Sequence, residues 1–216
     1  MNLKLYNRYR NSAGQRVRTA LNIKGADYDY IGVGSSGSIS TEDYVRDINP
    51  QGLVPTLSID GVPVTQSTAL IEFIEETFDG PSLLPDDPVA RAQSRAFAQI
   101  VACEMHAIGV GRVKTYLMAE HGQSDDDWTR WYDHWIHHGY QTLETLLERR
   151  ETATAFCYDD KPTVADLYIV PQMYNARLLN LDLSSYPLLL EIDARCRALD
   201  AFEKAMPENQ PDYPGE

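Results

Sequence analysis

The stretch Asn49-Pro50-Gln51-Gly52-Leu53-Val54-Pro55-Thr56-Leu57, followed closely by Thr65-Gln66-Ser67, constrains this chain more than any other. X-Pro is the one common peptide bond that a fold can hold cis, and Val54-Pro55 stands directly before a strand-like run. A cis bond there would turn the Val54 N–H and C=O outward, where an extended ligand backbone can pair with them as an added strand does. Gln66-Ser67 reads as a strand end followed by a helix start, with Leu70, Ile71, Phe73 and Ile74 as the apolar series. A helix N-terminus presents N–H groups and a positive dipole end, which suits a carboxylate. A backbone-pairing site beside a carboxylate site points to a small peptide ligand. A plain proline turn and an ordinary helix cap are the competing readings.

The chain has 216 residues, enough for one domain or two small ones with ample core. No apolar run approaches the length that spans a bilayer, and the N-terminus lacks a signal-peptide pattern, so no membrane is expected. Cys103, Cys157 and Cys196 are odd in number, far apart and without metal-ligand spacing. They are expected to be core thiols of a cytoplasmic protein that binds no metal. A net charge of −13 argues against nucleic acid and anionic membrane as partners. Against that acidic whole, residues 1–30 carry Lys4, Arg8, Arg10, Arg16, Arg18 and Lys24 but only Asp27 and Asp29. The cluster would draw in a small anionic substrate, or else it is a row of solvated helix-face arginines.

Along the chain, Leu3 to Tyr6 is a strand candidate, and Ser12 to Lys24 has a helical pattern ended by Gly25. Tyr28 to Val33 alternates as a strand does, and the Gly/Ser-rich stretch from Gly32 to Ser40 is expected to be a mobile loop. Thr41 to Ile48 is a short helix candidate. Thr56 to Ile59 and Val62 to Thr65 flank Asp60-Gly61 as a hairpin, and Ser67 to Thr77 follows as a helix. Pro81 to Pro88 reads as a linker, beyond which strand signals stop. Long helices are expected over Val89 to Tyr116, with a break at Gly109 and Gly111, and over Asp126 to Arg150. Thr163 with Asp166 forms a capping box before a buried helix from Leu167 to Leu179, and Tyr186 to Leu199 is the last helix. The tail Pro207 to Glu216 is polar, proline-rich and expected to fray.

An α/β module with Val-Pro before a hairpin, Gln-Ser at the next helix, a proline linker and a helical second half resembles a cytosolic glutathione transferase. Within that superfamily, Arg10-Asn11-Ser12-Ala13-Gly14-Gln15-Arg16-Val17-Arg18-Thr19-Ala20-Leu21 resembles the zeta-class opening Arg-Ser-Ser-Cys-x-x-Arg-Val-Arg-Ile-Ala-Leu. The class includes maleylacetoacetate and maleylpyruvate isomerases. The resemblance implies a thioredoxin-like, α/β glutathione-binding domain over 1–82, a linker over 83–89 and an all-α substrate-binding domain over 90–216. It also implies a homodimer, with glutathione as cofactor.

The implied activity is cis–trans isomerisation of a maleyl-type diacid, by addition of the glutathione thiolate and its later elimination. The implied glutathione contacts are Ser12, Gln51, Val54, Pro55, Gln66 and Ser67. Arg10 is the implied catalytic partner of a carboxylate or enolate, with His106, Arg112 and Arg177 as further substrate-binding candidates. The sequence departs from the class at two places, where Asn11 replaces the first serine and Ala13 the cysteine. The Asn11 amide, the Ser12 hydroxyl or a backbone N–H could then face the sulfur, with Ser12 as a plain N-cap the alternative. Conjugation, dehalogenation or ether cleavage of another electrophile is the competing activity, and a non-catalytic glutathione-binding module the third. His134, His137 and His138 lack a completing ligand and read as a solvated or interface face. Trp128, Trp131 and Trp135 read as helix packing.

Overall fold

The computed structural model describes residues 1–34 and 38–215. They form two compact units, Met1–Leu83 with Arg197–Glu216, and Leu84–Cys196. The first unit opens with β1 (Leu3–Asn7), α1 (Ser12–Lys24), β2 (Asp29–Gly32), α2 (Thr41–Asp47), β3 (Thr56–Ile59), β4 (Val62–Thr65) and α3 (Ser67–Thr77). The sheet order is β2-β1-β3-β4, with β1 parallel to β2 and antiparallel to β3, and β3 antiparallel to β4. This is the expected thioredoxin-like arrangement. Alternation along β1 sends Leu3, Leu5 and Asn7 inward. Leu5, Leu21, Leu57, Leu70 and Ile74 are fully buried where α1 and α3 meet the sheet, each worth about 1.5–3 kcal/mol. The hairpin turns on Asp60 (φ 49°) and Gly61 (φ 92°), the two positive-φ residues that a two-residue hairpin loop needs. Part of the expected loop from Gly32 to Ser40, residues 35–37, lies outside the described residues; on its flanks Gly34 N–H donates to Ile39 O at 2.9 Å.

The second unit is helical: α4 (Pro88–Gln99), a π-helical turn (Ile100–His106), α5 (Gly111–His121), α6 (Asp125–Glu148), α7 (Val164–Leu178) and α8 (Pro187–Arg197). The starts of α4 and α6 are capped by local side chains. Asp87 accepts from Val89 N–H and Ala90 N–H at 2.9 and 2.8 Å, and Ser124 with Asp127 forms a capping box on α6. The start of α8 is held from a distance, by buried Glu144 accepting from Leu188 and Leu189 N–H. α7 is buried on every face from Val164 to Met173, with Asp166 at its head. That carboxylate accepts from Thr163 N–H (2.7 Å), Thr163 Oγ1 (2.9 Å) and Cys157 N–H (3.0 Å). Burial pushes its pKa up, and those same donors hold it back. Asp166→Ala is expected to cost about 2–4 kcal/mol in urea unfolding, because it orphans buried donors as well as losing bonds. A loss below 1 kcal/mol would show that the network is dispensable.

Three expectations about the chain beyond the linker are corrected. Cys157 and Cys196 are buried, but Cys103 is exposed on the π-helical turn. The C-terminal residues from Arg197, expected within the helical domain, belong to the first unit, where α9 (Asp200–Glu203) packs on α1. Up to Tyr213 the tail is held in place rather than frayed. Gln210 Nε2 donates to Lys204 O and Met206 O at 2.8 and 2.7 Å, and Asp212 is buried. Its polar side chains are matched to backbone groups rather than to water.

Candidate active site

The sheet register brings the informative segments together. Tyr6 of β1 pairs with Thr56 of β3, and Thr56 with Thr65 of β4. The end of β1, the start of β3 and the end of β4 therefore lie side by side. Residues 8–12, 54–55 and 66–67 all emerge at that one end of the sheet.

The Val54-Pro55 bond is cis, and the Val54 N–H and C=O take no partner among the described residues. The loop around them is held by groups that sequence reasoning missed. Tyr44 OH and Asn49 Nδ2 each donate to Leu53 O at 2.7 Å, and Tyr44 OH also meets Thr56 Oγ1 at 2.7 Å. Nothing in the sequence around Tyr44 marks it out, because its partners are nine and twelve residues away.

Gln66 has φ 73° and ψ 114°, a conformation costly for a residue with a side chain and frequent at ligand sites. It makes no capping bond to α3, whose first residue is Ser67. Its Nε2 donates instead to Gln51 Oε1 at 3.0 Å, so two exposed amides stand together before the helix start. Beneath that start, buried Arg16 donates to Ser67 Oγ at 3.4 Å, adding a cation to the positive helix end. Gln66→Ala is expected to weaken glutathione binding about 5–30-fold, the loss of one or two hydrogen bonds to a charged group. An unchanged dissociation constant by calorimetry would place the cofactor elsewhere.

At the start of α1 the cap is Asn11, not Ser12. Its Oδ1 accepts from Gly14 N–H at 2.6 Å, while its NH₂ takes no partner among the described residues. Ser12 is the first helical residue and is buried. Arg10 is exposed, and its guanidinium has no partner among the described residues. The basic cluster expected over residues 1–30 resolves into two populations. Lys4, Arg8 and Arg10 are exposed, whereas Arg16 and Arg18 are buried and Lys24 is paired with Glu75 at 2.8 Å. Neither a continuous anion-drawing face nor a solvated arginine row describes it, because α1 is the central helix of the unit and both of its sides are covered.

Gly14 is needed for space. A Cβ there would sit 2.1–2.4 Å from the side-chain amide of Asn7, which is fully buried and has no hydrogen-bond partner among the described residues. Gly14→Ala is expected to cost about 1–3 kcal/mol, and pairing it with Asn7→Ala to recover most of that loss. Additive effects of the two substitutions would show that the residues do not share this space.

In the second unit, His106 closes the π-helical turn, a geometry common at functional sites. Arg112 is exposed and without a partner among the described residues, in the first turn of α5. A cation at a helix N-terminus is unfavourable in itself and becomes favourable when an anion binds. Arg177 differs from both: its guanidinium is ion-paired with buried Asp193. Of the two glycines in this segment, Gly109 leaves no space, because the Tyr132 ring fills the place of its side chain at 2.9 Å, whereas Gly111 faces open space. Trp128 and Trp131, assigned to packing from sequence, line a cavity of about 320 Å³ with Leu117, Met118 and His121. His137 meets Tyr186 OH at 2.7 Å and Asp133 at 3.3 Å, so one of the three clustered histidines is a helix-packing residue.

Comparison with known proteins bears on this arrangement. Residues 12–77 match the family described as glutathione S-transferase, N-terminal domain. The chain is 44% identical to the probable maleylacetoacetate isomerase of Vibrio cholerae, over 98% of this chain and 99% of that protein. It is similar to the holo structure of a bacterial maleyl pyruvate isomerase, a zeta-class glutathione S-transferase (TM-score 0.90, 39% identity, 97% and 99% of the two chains). It is also similar to the maleylacetoacetate isomerase of Methylobacterium extorquens with bound malonate and glutathione (TM-score 0.91, 37% identity, 98% and 100%).

Proposed function

The chain belongs to the zeta-class glutathione transferases, and on that premise we propose that it is a glutathione-dependent cis–trans isomerase of a maleyl-type diacid, maleylacetoacetate or maleylpyruvate. The observation that carries the proposal is the convergence of three segments at one sheet end: the unpaired Val54 backbone, the Gln51–Gln66 amides with Ser67, and the Arg10–Ser12 turn. That donor set fits a tripeptide with a free carboxylate at its γ-glutamyl end and a thiol on its central residue. Val54 pairs with its backbone, beside Pro55. Gln51, Gln66 and the Ser67 helix end, backed by Arg16, hold the γ-glutamyl carboxylate. Bound glutathione supplies a thiolate that adds reversibly to the alkene carbon, so that the former double bond can rotate before elimination.

The chain's own residues make that exchange favourable. Ser12 Oγ or Asn11 Nδ2 donates to the sulfur, next to the positive end of α1, and keeps it ionised. Arg10 takes the substrate carboxylate or enolate oxygen on which negative charge builds up. His106 and Arg112 serve the substrate's second acidic group. Arg177 is the weakest of the substrate-binding candidates, because Asp193 already holds it. We further propose a cytoplasmic homodimer, in keeping with the family to which the chain belongs.

The test is ultraviolet assay of maleylpyruvate and maleylacetoacetate with and without glutathione. Loss of the cis substrate only when glutathione is present, with no net thiol consumed, is the expected result. Net thiol consumption would indicate conjugation of the electrophile instead. Glutathione binding with no turnover of either diacid would overturn the isomerase reading.

A further inference from the structure

Tyr9, the residue before Arg10, is gripped on three sides within the first unit. Its N–H donates to Asp212 Oδ2 at 3.1 Å. Its C=O accepts from Arg18 Nη2 at 3.2 Å, and its ring meets the Tyr213 ring edge-on with centroids 5.5 Å apart. Arg18 is fully buried, and its other donors also go to backbone. Nε and Nη2 reach Ala205 O at 3.1 and 2.7 Å, and Nη1 reaches Arg8 O at 3.5 Å. The second oxygen of Asp212 accepts from Tyr30 OH at 2.7 Å. One arginine and one aspartate thus tie the C-terminal segment 205–213 to the backbone on which the Arg10–Ser12 turn begins.

The far side of that turn is fixed independently. Asn11 caps α1, and Asn11 O accepts from Gln15 N–H at 2.8 Å. Arg10 itself has no hydrogen-bond partner among the described residues, so its position is set only by its neighbours on either side. A shift of about 1 Å at a reacting group is enough to cost around 100-fold in rate. The cavity of about 610 Å³ bordered by Tyr28, Tyr30, Lys204 and Gln210 contains none of the proposed site residues.

We propose that Asp212 is a positioning residue: with Arg18 it makes the C-terminal segment a clasp that sets the Arg10–Ser12 turn through the backbone of Tyr9. The proposal rests on the isomerase reading for its kinetic consequence, but not for its structural one. Asp212→Ala removes both of its acceptor oxygens. Asp212→Asn keeps one acceptor and a similar shape. Tyr30→Phe removes a bond from Asp212 yet leaves the Tyr9 contact in place, so it controls for loosening of the segment as such.

The experiment measures kcat, KM, melting temperature and hydrogen exchange of the peptide spanning residues 9–13 in the full chain. Asp212→Ala is expected to lower kcat about 10-fold or more, with glutathione affinity changed by less than about threefold, and to speed exchange at residues 9–13. Asp212→Asn should fall between Asp212→Ala and wild type, and Tyr30→Phe should keep wild-type kcat even if its melting temperature falls. Wild-type kcat in Asp212→Ala would overturn the proposal. So would losses in Asp212→Ala and Tyr30→Phe that simply follow melting temperature. If the wild-type chain isomerises neither diacid, the isomerase reading fails by itself and hydrogen exchange decides the clasp: unchanged exchange at residues 9–13 in Asp212→Ala overturns it.

Discussion

Arg10→Ala is expected to lower kcat/KM for the diacid by about 10²–10³-fold, or roughly 3–4 kcal/mol of transition-state stabilisation. Glutathione affinity should change little. Two features of the structure separate these effects. The guanidinium is exposed and pairs with nothing among the described residues, so its removal orphans no buried group and folding stability should stay within about 0.5 kcal/mol. The groups proposed to hold the cofactor's carboxylate and backbone come from other segments, at Val54 and Gln66-Ser67. Arg10→Lys keeps the charge but not the planar fork, so partial recovery is expected there. Turnover retained in Arg10→Ala would take the residue out of the mechanism.

Ser12→Ala and Asn11→Ala should part company in a pH profile. A thiol ionises near pH 8.5 when unperturbed, and a donor at a helix N-terminus lowers that value. Loss of the donor raises the thiol pKa again. At any pH below it, each unit of that rise removes about nine-tenths of the thiolate. If Ser12 is the donor, the acid limb of kcat/KM in Ser12→Ala moves up by about 1–2 units and activity at pH 7 falls about 10–100-fold. Asn11→Ala instead gives up the bond to Gly14 N–H, costing about 1 kcal/mol of stability and leaving the limb in place. The opposite pattern would assign the role to the Asn11 NH₂, which is the one group of that side chain not used in capping. A profile unmoved in both variants would leave the backbone N–H groups of α1 as the source of thiolate stabilisation.

The elements were legible because their signals are local. Helix α1 runs over Ser12–Lys24 and the hairpin turns at Asp60-Gly61, as apolar spacing and turn chemistry require. The proline of Val54-Pro55 marked the outward-facing backbone, and Gln66-Ser67 marked the start of α3. The identity of the α1 cap was not legible, because Asn11 and Ser12 are both good caps and only backbone geometry chooses between them. The environment of the arginines was equally hidden. Arg10, Arg16 and Arg18 differ little as sequence, yet one is exposed, one lies under Ser67 and one binds the carbonyl of Ala205, 187 residues away. The tail misled for the same reason, since polar residues that satisfy buried backbone look like polar residues that seek water.

By itself the amino-acid sequence determined most of the elements, their order, the class of the fold and the family, since periodicity, capping and turn chemistry act over a few residues and the motifs stand in a fixed order; the π-helical turn and α9 left no such signal. Tertiary structure alone decided which end of the sheet gathers the Arg10–Ser12, Val54-Pro55 and Gln66-Ser67 segments, which arginines are exposed and which are buried, and that the C-terminal segment returns to grip Tyr9. Those outcomes depend on strand register and on partners up to 203 residues apart, and a hydrogen bond over such a separation leaves no pattern along the chain.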